Sequence, residues 1–196
     1  MAIFRTLVDM LVVRLTRGNK YDSTFLRTYF KRQYNIDVGM YSVGFFDRWR
    51  IAPGTTVGRY STIAASVRLI DANHPIRNLS THPFFYLKDF GFVAEDNISS
   101  APKIVEDDVW MGHGSIATPE CKRIGRGSII GAGSIVMSDV PRYAIMTGAP
   151  ARFVRFRFPP DVIEAIESTQ WWLLDKSELK RGLDAAGDFL SQPSVE

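Results

Sequence analysis

The sequence predicts a mainly β chain, a parallel β-helix of hexapeptide repeats, and three observations point there. Between Ile104 and Val140 an apolar residue returns at every sixth position, at Val105, Met111 and Ala117 and, after a slip of one residue, at Ile124, Ile130 and Val136. Four positions after each stands a small or medium side chain: Val109, Ser115, Cys121, Ser128, Ser134 and Val140. Gly holds the second place in several units, at Gly112, Gly125 and Gly131. A helix would require spacings of three and four, and a half-buried strand would require alternation, so neither accounts for a period of six. A hexapeptide is instead the unit of a parallel β-helix, with one short strand and one corner per unit and three units to a coil of about eighteen residues. Coils then stack at the spacing of hydrogen-bonded strands, about 4.8 Å. The apolar starters fill the bore, and Gly, Asp and Asn take the corners, where φ is unusual.

In chain order, residues 1–35 form a helical segment. Ile3, Phe4, Leu7, Met10 and Leu11 recur at helical spacing and predict an amphipathic helix over 3–16, packed on the body. Arg5, Asp9 and Arg14 interrupt the apolar run, which falls short of the about 18 residues a membrane span requires and does not read as a secretion signal. Contact with a membrane surface is the weaker reading of this stretch.

The β-helix follows over 36–145. Its register starts in Val38 to Val43, passes the irregular GFFDRWR and resumes through Ile51, Val57, Ile63 and Leu69, with Thr55, Ser61, Val67 and Asn73 in the accompanying fifth places. Val38 to Asn73 makes two coils. Val105 to Pro141 makes two coils plus one residue, which a corner bulge at Lys122 and Arg123 absorbs. Between them lies a loop, 74–103, with no hexapeptide register. Loops this long in compact domains are functional or disordered, and Phe84, Phe85, Tyr86, Phe90 and Phe92 make this one too aromatic for a solvated coil. Such an arm is expected to bury itself against a neighbouring copy of the chain.

From 146 to 196 the sequence predicts a turn and then helices. Pro and Gly signals precede Arg152, Arg155 and Arg157. A helix capped by Asp161 carries the stripe Val162, Ile163, Ile166, Trp171 and Leu174, and a second helical piece runs from about Ser177 to Leu190 before a frayed tail.

The chain has 196 residues, enough for one domain with an appendage. A net charge of +3 predicts no nucleic-acid partner and suits an anionic small molecule. The lone Cys121 excludes an internal disulfide and fits a reducing, cytoplasmic setting.

An ordered set of motifs carries a family resemblance: Asn73-His74 at the start of the loop, STHPFF at 80–85, DDVWMG at 107–112, GAGSIV at 131–136, TGAPARFVRFRF at 147–158 and QWWLLD at 170–175. Over residues 36–176 the chain resembles the xenobiotic acetyltransferase branch of the left-handed β-helix acyltransferases, which holds hexapeptide-type chloramphenicol and streptogramin acetyltransferases beside many sugar O-acetyltransferases. The resemblance implies left-handed coils, an exception to the right-handed rule for parallel strands. It also implies acetyl-CoA as co-substrate with no metal, and a homotrimer with active sites between subunits. The acceptor it implies is a hydroxyl of a sugar or polysaccharide precursor, with an antibiotic hydroxyl or an amino sugar as the alternatives.

Moving an acetyl group from a thioester to a hydroxyl needs a base for the hydroxyl proton and donors for the oxyanion. His74 is the best candidate base, because imidazole accepts a proton near neutral pH and this one stands where the loop leaves the last regular unit. The resemblance gives it that role in a direct transfer with no covalent enzyme intermediate. For the acceptor, Asn73, His82 and Tyr41 are candidate contacts, although Asn73 also suits a left-handed corner and His82 a packing role. Gly131, Ala132 and Gly133 leave backbone amides on one face, where the resemblance lays the pantetheine arm with Trp110 as its wall. Arg152 and Arg155 suit the phosphates, which guanidinium groups bind by paired, charge-assisted hydrogen bonds. His113 reads as a solvated corner residue, and Cys121 as core rather than nucleophile. A metal hydratase on the same solenoid would need three converging histidines, and the chain has only His74, His82 and His113. A non-catalytic scaffold would need neither His74 nor its loop.

Overall fold

A computed structural model describes residues 2–186; the chain divides into two compact units after Arg157. The first unit opens with helices α1, Ala2–Leu15, and α2, Thr24–Tyr34, separated by a 3₁₀ turn over Arg17–Asn19. Ser23 caps α2 by accepting the Leu26 amide on Oγ at 3.1 Å, and Asn35 ends it in the left-handed region at φ 53°. Arg27 on α2 is 8% exposed, and its guanidinium donates to five carbonyls, those of Lys20, Tyr21, Ser23, Gly39 and Ser42. One side chain thus ties the approach to α2, the helix and the first coil together.

The orientation of α1 is the reverse of the expectation from its apolar stripe. Asp9 accepts from the hydroxyls of Tyr29 at 2.8 Å and Tyr34 at 2.6 Å and pairs with Arg48 at 3.2 Å, while Thr6 accepts from Arg48 at 2.9 Å. The polar side therefore faces the body, joined by half-buried Val12, and Phe4, Leu7, Met10 and Leu11 face outward. A half-buried carboxylate with three partners is anchored by hydrogen bonds that a solvent-facing position would exchange with water for little net gain.

The coils run through ten two-residue strands: β1 Asp37–Val38, β2 Thr56–Val57, β3 Thr62–Ile63, β4 Arg68–Leu69, β5 Ile104–Val105, β6 Trp110–Met111, β7 Ile116–Ala117, β8 Arg123–Ile124, β9 Ile129–Ile130 and β10 Ile135–Val136. They form three parallel sheets, ordered β1-β2-β5-β8, β3-β6-β9 and β4-β7-β10, and the chain visits the sheets in rotation. In the first coil, isolated bridges from Val43 to Thr62 and from Ile51 to Leu69 stand in for strands. The result is a set of three parallel sheets that the chain visits in turn, with one short strand per hexapeptide. The second residue of every strand, from Val38 to Val136, is buried, and so are the fifth-place residues Thr55, Ser61, Val67, Val109, Ser115, Cys121, Ser128 and Ser134. Buried hydroxyls need partners. Ser61 Oγ donates to the Glu106 carbonyl at 2.7 Å and accepts the Val109 amide at 3.0 Å, and Ser115 Oγ donates to the Gly112 carbonyl at 2.8 Å.

Register locates the two irregularities that the sequence marks. Thr56 pairs with Ile104, 48 positions on, and Ile104 with Arg123, 19 positions on. Against a coil of eighteen, the first offset is the thirty-residue loop and the second is the one-residue slip. The slip is a capped bulge, in which Asp139 Oδ1 accepts the amides of Lys122 at 2.7 Å and Arg123 at 2.8 Å.

The segment expected to be a turn from 146 is a hairpin. Strand β11, Ala144–Gly148, continues the second sheet in parallel with β9, and β12, Ala151–Phe156, pairs antiparallel to β11 and ends that sheet. The Gly and Pro signals mark the turn between the two strands. In the second unit, α3 runs Pro160–Thr169 and α4 Lys176–Ala186, with a 3₁₀ turn over Trp171–Leu173 between them. Pro159, not Asp161, is the N-cap of α3; Asp161 lies in its first turn. Asp175 Oδ1 accepts the Ser177 and Glu178 amides while Glu178 returns to the Asp175 amide, a capping box that starts α4. The expected end of this helix at Leu190 and the tail beyond it lie outside the described residues.

Candidate active site

The loop 74–103 departs after β4 and returns at β5, and both ends are pinned to neighbouring chain. Asp71 accepts the Ser100 hydroxyl at 2.6 Å and, on its carbonyl, the Ala101 amide at 2.8 Å. Asn73 Nδ2 donates to Glu120 Oε1 at 3.0 Å. Lys103, 2% exposed, donates from Nζ to the carbonyls of Thr118 and Cys121. Burial pulls the Lys103 pKa below its ordinary value. Residues 118–121 belong to the bulged corner of the next coil, so the one-residue slip supplies the receptors for the loop's base.

His74 is exposed at the first position of this loop. Its Nδ1 lies 2.7 Å from the Thr81 carbonyl oxygen, and a carbonyl can only accept, so the ring proton belongs on Nδ1. The Tyr86 hydroxyl is 2.9 Å from the same nitrogen, and the two rings meet edge to face at 5.5 Å. Tyr86 is buried, and its own carbonyl accepts the Asn97 amide at 2.8 Å. Tautomer and ring orientation are fixed together, and the lone pair is left on Nε2, where a proton can be accepted.

The other acceptor candidates have local duties. His82 is the N-cap of the 3₁₀ turn Pro83–Phe85, its Nδ1 accepting the Phe84 amide at 3.3 Å. Asn73 is the tie to Glu120. Tyr41 occupies the corner after β1 at φ 67°, stacked on Tyr60 at 4.8 Å, whereas His74 follows β4. His113 Nδ1 lies 3.1 Å from the Ser66 hydroxyl oxygen. The loop aromatics gather among themselves: Phe84 lies 5.2 Å from Phe90 and 4.7 Å from Phe92, and all three rings stay exposed.

On the second sheet, register sets Trp110, Ile129, Ile145 and Arg155 in one cross-strand row. Trp110 is 54% exposed. Three strand steps put Arg155 about 14 Å from the indole's strand. Arg155 and Arg152 donate only to carbonyls of their own strand and its end. Two of the three amides expected to be open at the next corner are not: Gly131 donates to the Met146 carbonyl at 2.9 Å and Gly133 to the His113 carbonyl at 2.8 Å. Stacked coils use corner amides to hold each other. What the corner does offer is room, since a Cβ on Gly133 would meet nothing within 4 Å. Gly112 is required for a different reason, because a Cβ there would lie 2.7 Å from the Ala132 nitrogen of the next coil.

The acidic run before Trp110 is structural. Glu106 accepts from Arg123 and Arg142, both at 2.6 Å, and from the Arg126 amide at 3.0 Å; Asp107 pairs with Arg126 at 3.1 Å and Asp108 with Arg157 at 2.9 Å. Burial alone would push the Glu106 carboxyl up, but these hydrogen bonds and the Arg142 charge outweigh it and hold the pKa at about 2. Burial dominates at Asp108 and raises it despite Arg157. Cys121 is fully buried, and burial pushes its thiol up to about 11, the opposite of an activated nucleophile. Among the described residues no three His, Cys, Asp or Glu side chains are grouped as metal ligands.

No family model matches the chain. It is 32% identical over 133 residues to a chloramphenicol acetyltransferase of Agrobacterium fabrum, covering 65% of this chain and 63% of that one. To a probable macrolide acetyltransferase of Lysinibacillus sphaericus it is 31% identical over 134 residues, covering 65% of this chain and 74% of that one. The chain belongs to the hexapeptide-repeat acetyltransferases. It spans about 63% of the length of the chloramphenicol acetyltransferases it matches. A solved maltose O-acetyltransferase from Clostridium difficile 630 is 23% identical, with 78% of this chain and 86% of that one covered at a TM-score of 0.47.

Within this family member, Tyr86, Lys103 and Glu120 join the site although the sequence singled out none of them for it. Tyr86 was legible only as part of an aromatic run, and Lys103 and Glu120 act through partners that no local pattern relates to them.

Proposed function

We propose that this chain is an acetyl-CoA-dependent O-acetyltransferase built on left-handed coils, with His74 as general base and a sugar or polysaccharide-precursor hydroxyl as acceptor. The observation that carries the reading is the His74 imidazole, whose Nδ1 proton is held by the Thr81 carbonyl at 2.7 Å so that Nε2 is the basic nitrogen. Nε2 takes the proton of the acceptor hydroxyl as its oxygen attacks the thioester carbonyl; the CoA thiolate leaves and recovers the proton. No covalent bond to the enzyme is needed. Trp110 would flank the thioester arm, the open corner at Gly131, Ala132 and Gly133 would accommodate it, and Arg152 and Arg155 would take the phosphates.

Topology supports a homotrimer with sites between subunits. His74 stands at the corner after the third sheet, while the row from Trp110 to Arg155 faces out from the second, so one chain turns its base and its cofactor surface in different directions. A groove between two copies would bring them together. An antibiotic acceptor is the second reading, favoured by relatives named chloramphenicol and macrolide acetyltransferases. Release of free thiol from acetyl-CoA, measured over a panel of sugars, nucleotide sugars, amino sugars, chloramphenicol and a macrolide, tests both. Thiol release with none of them, or a stable active monomer in sedimentation, would remove the proposal.

A further inference from the structure

We propose that the outward face of α1 is an interfacial helix that seats this chain on an anionic lipid surface. The proposal stands on the structure of the N-terminal segment and is independent of acetyl transfer. Phe4, Leu7, Leu11 and Leu15 are 72%, 55%, 55% and 75% exposed, a stripe at spacings of three and four on one side of the helix. Surface helices of globular proteins turn such a stripe to the core. Here the core side is held by Asp9 and Thr6 through Tyr29, Tyr34 and Arg48, so the stripe cannot turn inward without breaking those bonds.

Charge identifies the occupant. Residues 1–35 contain seven Lys and Arg against two acids, a net +5, while the whole chain carries +3. The basic excess of the molecule is therefore confined to this segment, and the remainder is slightly acidic. Asp9, the only acid of α1, is turned to the body, and Arg5, Arg14 and Arg17 stand exposed beside the stripe. Trp49, its indole stacked under Arg48 at 4.5 Å and 66% exposed, joins Met10 and Val13 in lining a cleft of about 670 Å³ next to the helix. Apolar residues flanked by cations, with an aromatic beside them, match an anionic headgroup layer over acyl chains. A second copy would bring the exposed Arg5, Arg14 and Arg17 against their own counterparts. No helix among the described residues is long and apolar enough to cross a membrane, so the helix lies on the surface.

Co-sedimentation with vesicles tests this directly. The full chain should pellet with phosphatidylcholine vesicles containing phosphatidylglycerol, much less with phosphatidylcholine alone, and less as salt rises. Leu7→Gln with Leu11→Gln should abolish pelleting, and Arg14→Gln with Arg17→Gln should weaken it roughly fivefold per cation removed. Both pairs change exposed side chains, and circular dichroism and sedimentation velocity should show the wild-type fold and oligomer. The proposal fails if the wild-type chain does not pellet with anionic vesicles, or if the leucine variant pellets as well as wild type. It fails equally if the leucine variant loses an oligomer that wild type forms without lipid, which would make a second copy the occupant.

Discussion

The coils from Ile104 to Val136 and the loop from His74 to Lys103 treat polar groups in opposite ways. In the coils most polar groups serve the stack: Ser115 bridges to the backbone, the amides of Gly131 and Gly133 join coil to coil, and Glu106 gathers Arg123, Arg142 and the Arg126 amide, while Ser128 Oγ is buried without a hydrogen-bond partner. In the loop, the His74 ring is held through one nitrogen, Nδ1, by Thr81 and Tyr86. The imidazole that the proposed reaction uses stands where the repeat is interrupted. The coils supply rigidity, and the loop supplies that imidazole.

If that division holds, substitutions in the two regions separate cleanly. His74→Ala should reduce turnover by roughly 10² to 10⁴ while leaving the urea midpoint and CoA binding unchanged; an undiminished rate would take His74 out of the chemistry. Arg27→Ala should do the reverse, costing about 3–5 kcal/mol in urea unfolding, because five carbonyls lose one charged, buried donor. A loss below about 1 kcal/mol would mean water replaces the guanidinium. Smaller again is the Glu106 cluster. Its carboxyl is depressed in the folded chain, so the stability it provides is present above the unfolded value near 4.3 and is lost as pH falls toward about 2. Unfolding at pH 6 and pH 2.5 should differ between wild type and Glu106→Gln by about 2 kcal/mol, reduced from the full shift by screening of the half-exposed arginines. The smallest effect belongs to Tyr86→Phe. Loss of one hydrogen bond to the base should lower kcat about two- to tenfold with KM for acetyl-CoA unchanged, and a matching shift in stability instead would make Tyr86 a packing residue.

Much of this was readable before any coordinates. The period of six located all ten short strands, the slip and the loop boundaries, because each strand's inward residue is a separate apolar mark. His74 was legible because it stands at the point where that pattern stops. What escaped was set by distant partners. The α1 stripe says that one face is apolar but not where it looks, and that was decided by tyrosines on α2, twenty and twenty-five positions from Asp9. The amides of Gly131 and Gly133 looked available because their acceptors lie on other coils. The hairpin β11–β12 hid behind its own turn signals, and Pro159 displaced Asp161 as cap because the local spacing permits either.

The first coil departs from eighteen between Val43, 19 positions before Thr62, and Ile51, 18 before Leu69, but the loop and the slip both fall between the third sheet and the first, thirty residues after β4 and one residue after β7. Neither disturbs the strands on its two sides, whose inward residues stay buried. Chain length thus changes at this edge on two successive coils, and the capped bulge on one coil serves as the mooring for the insertion on the next. For engineering, this edge marks where a foreign segment can be spliced without re-registering the stack.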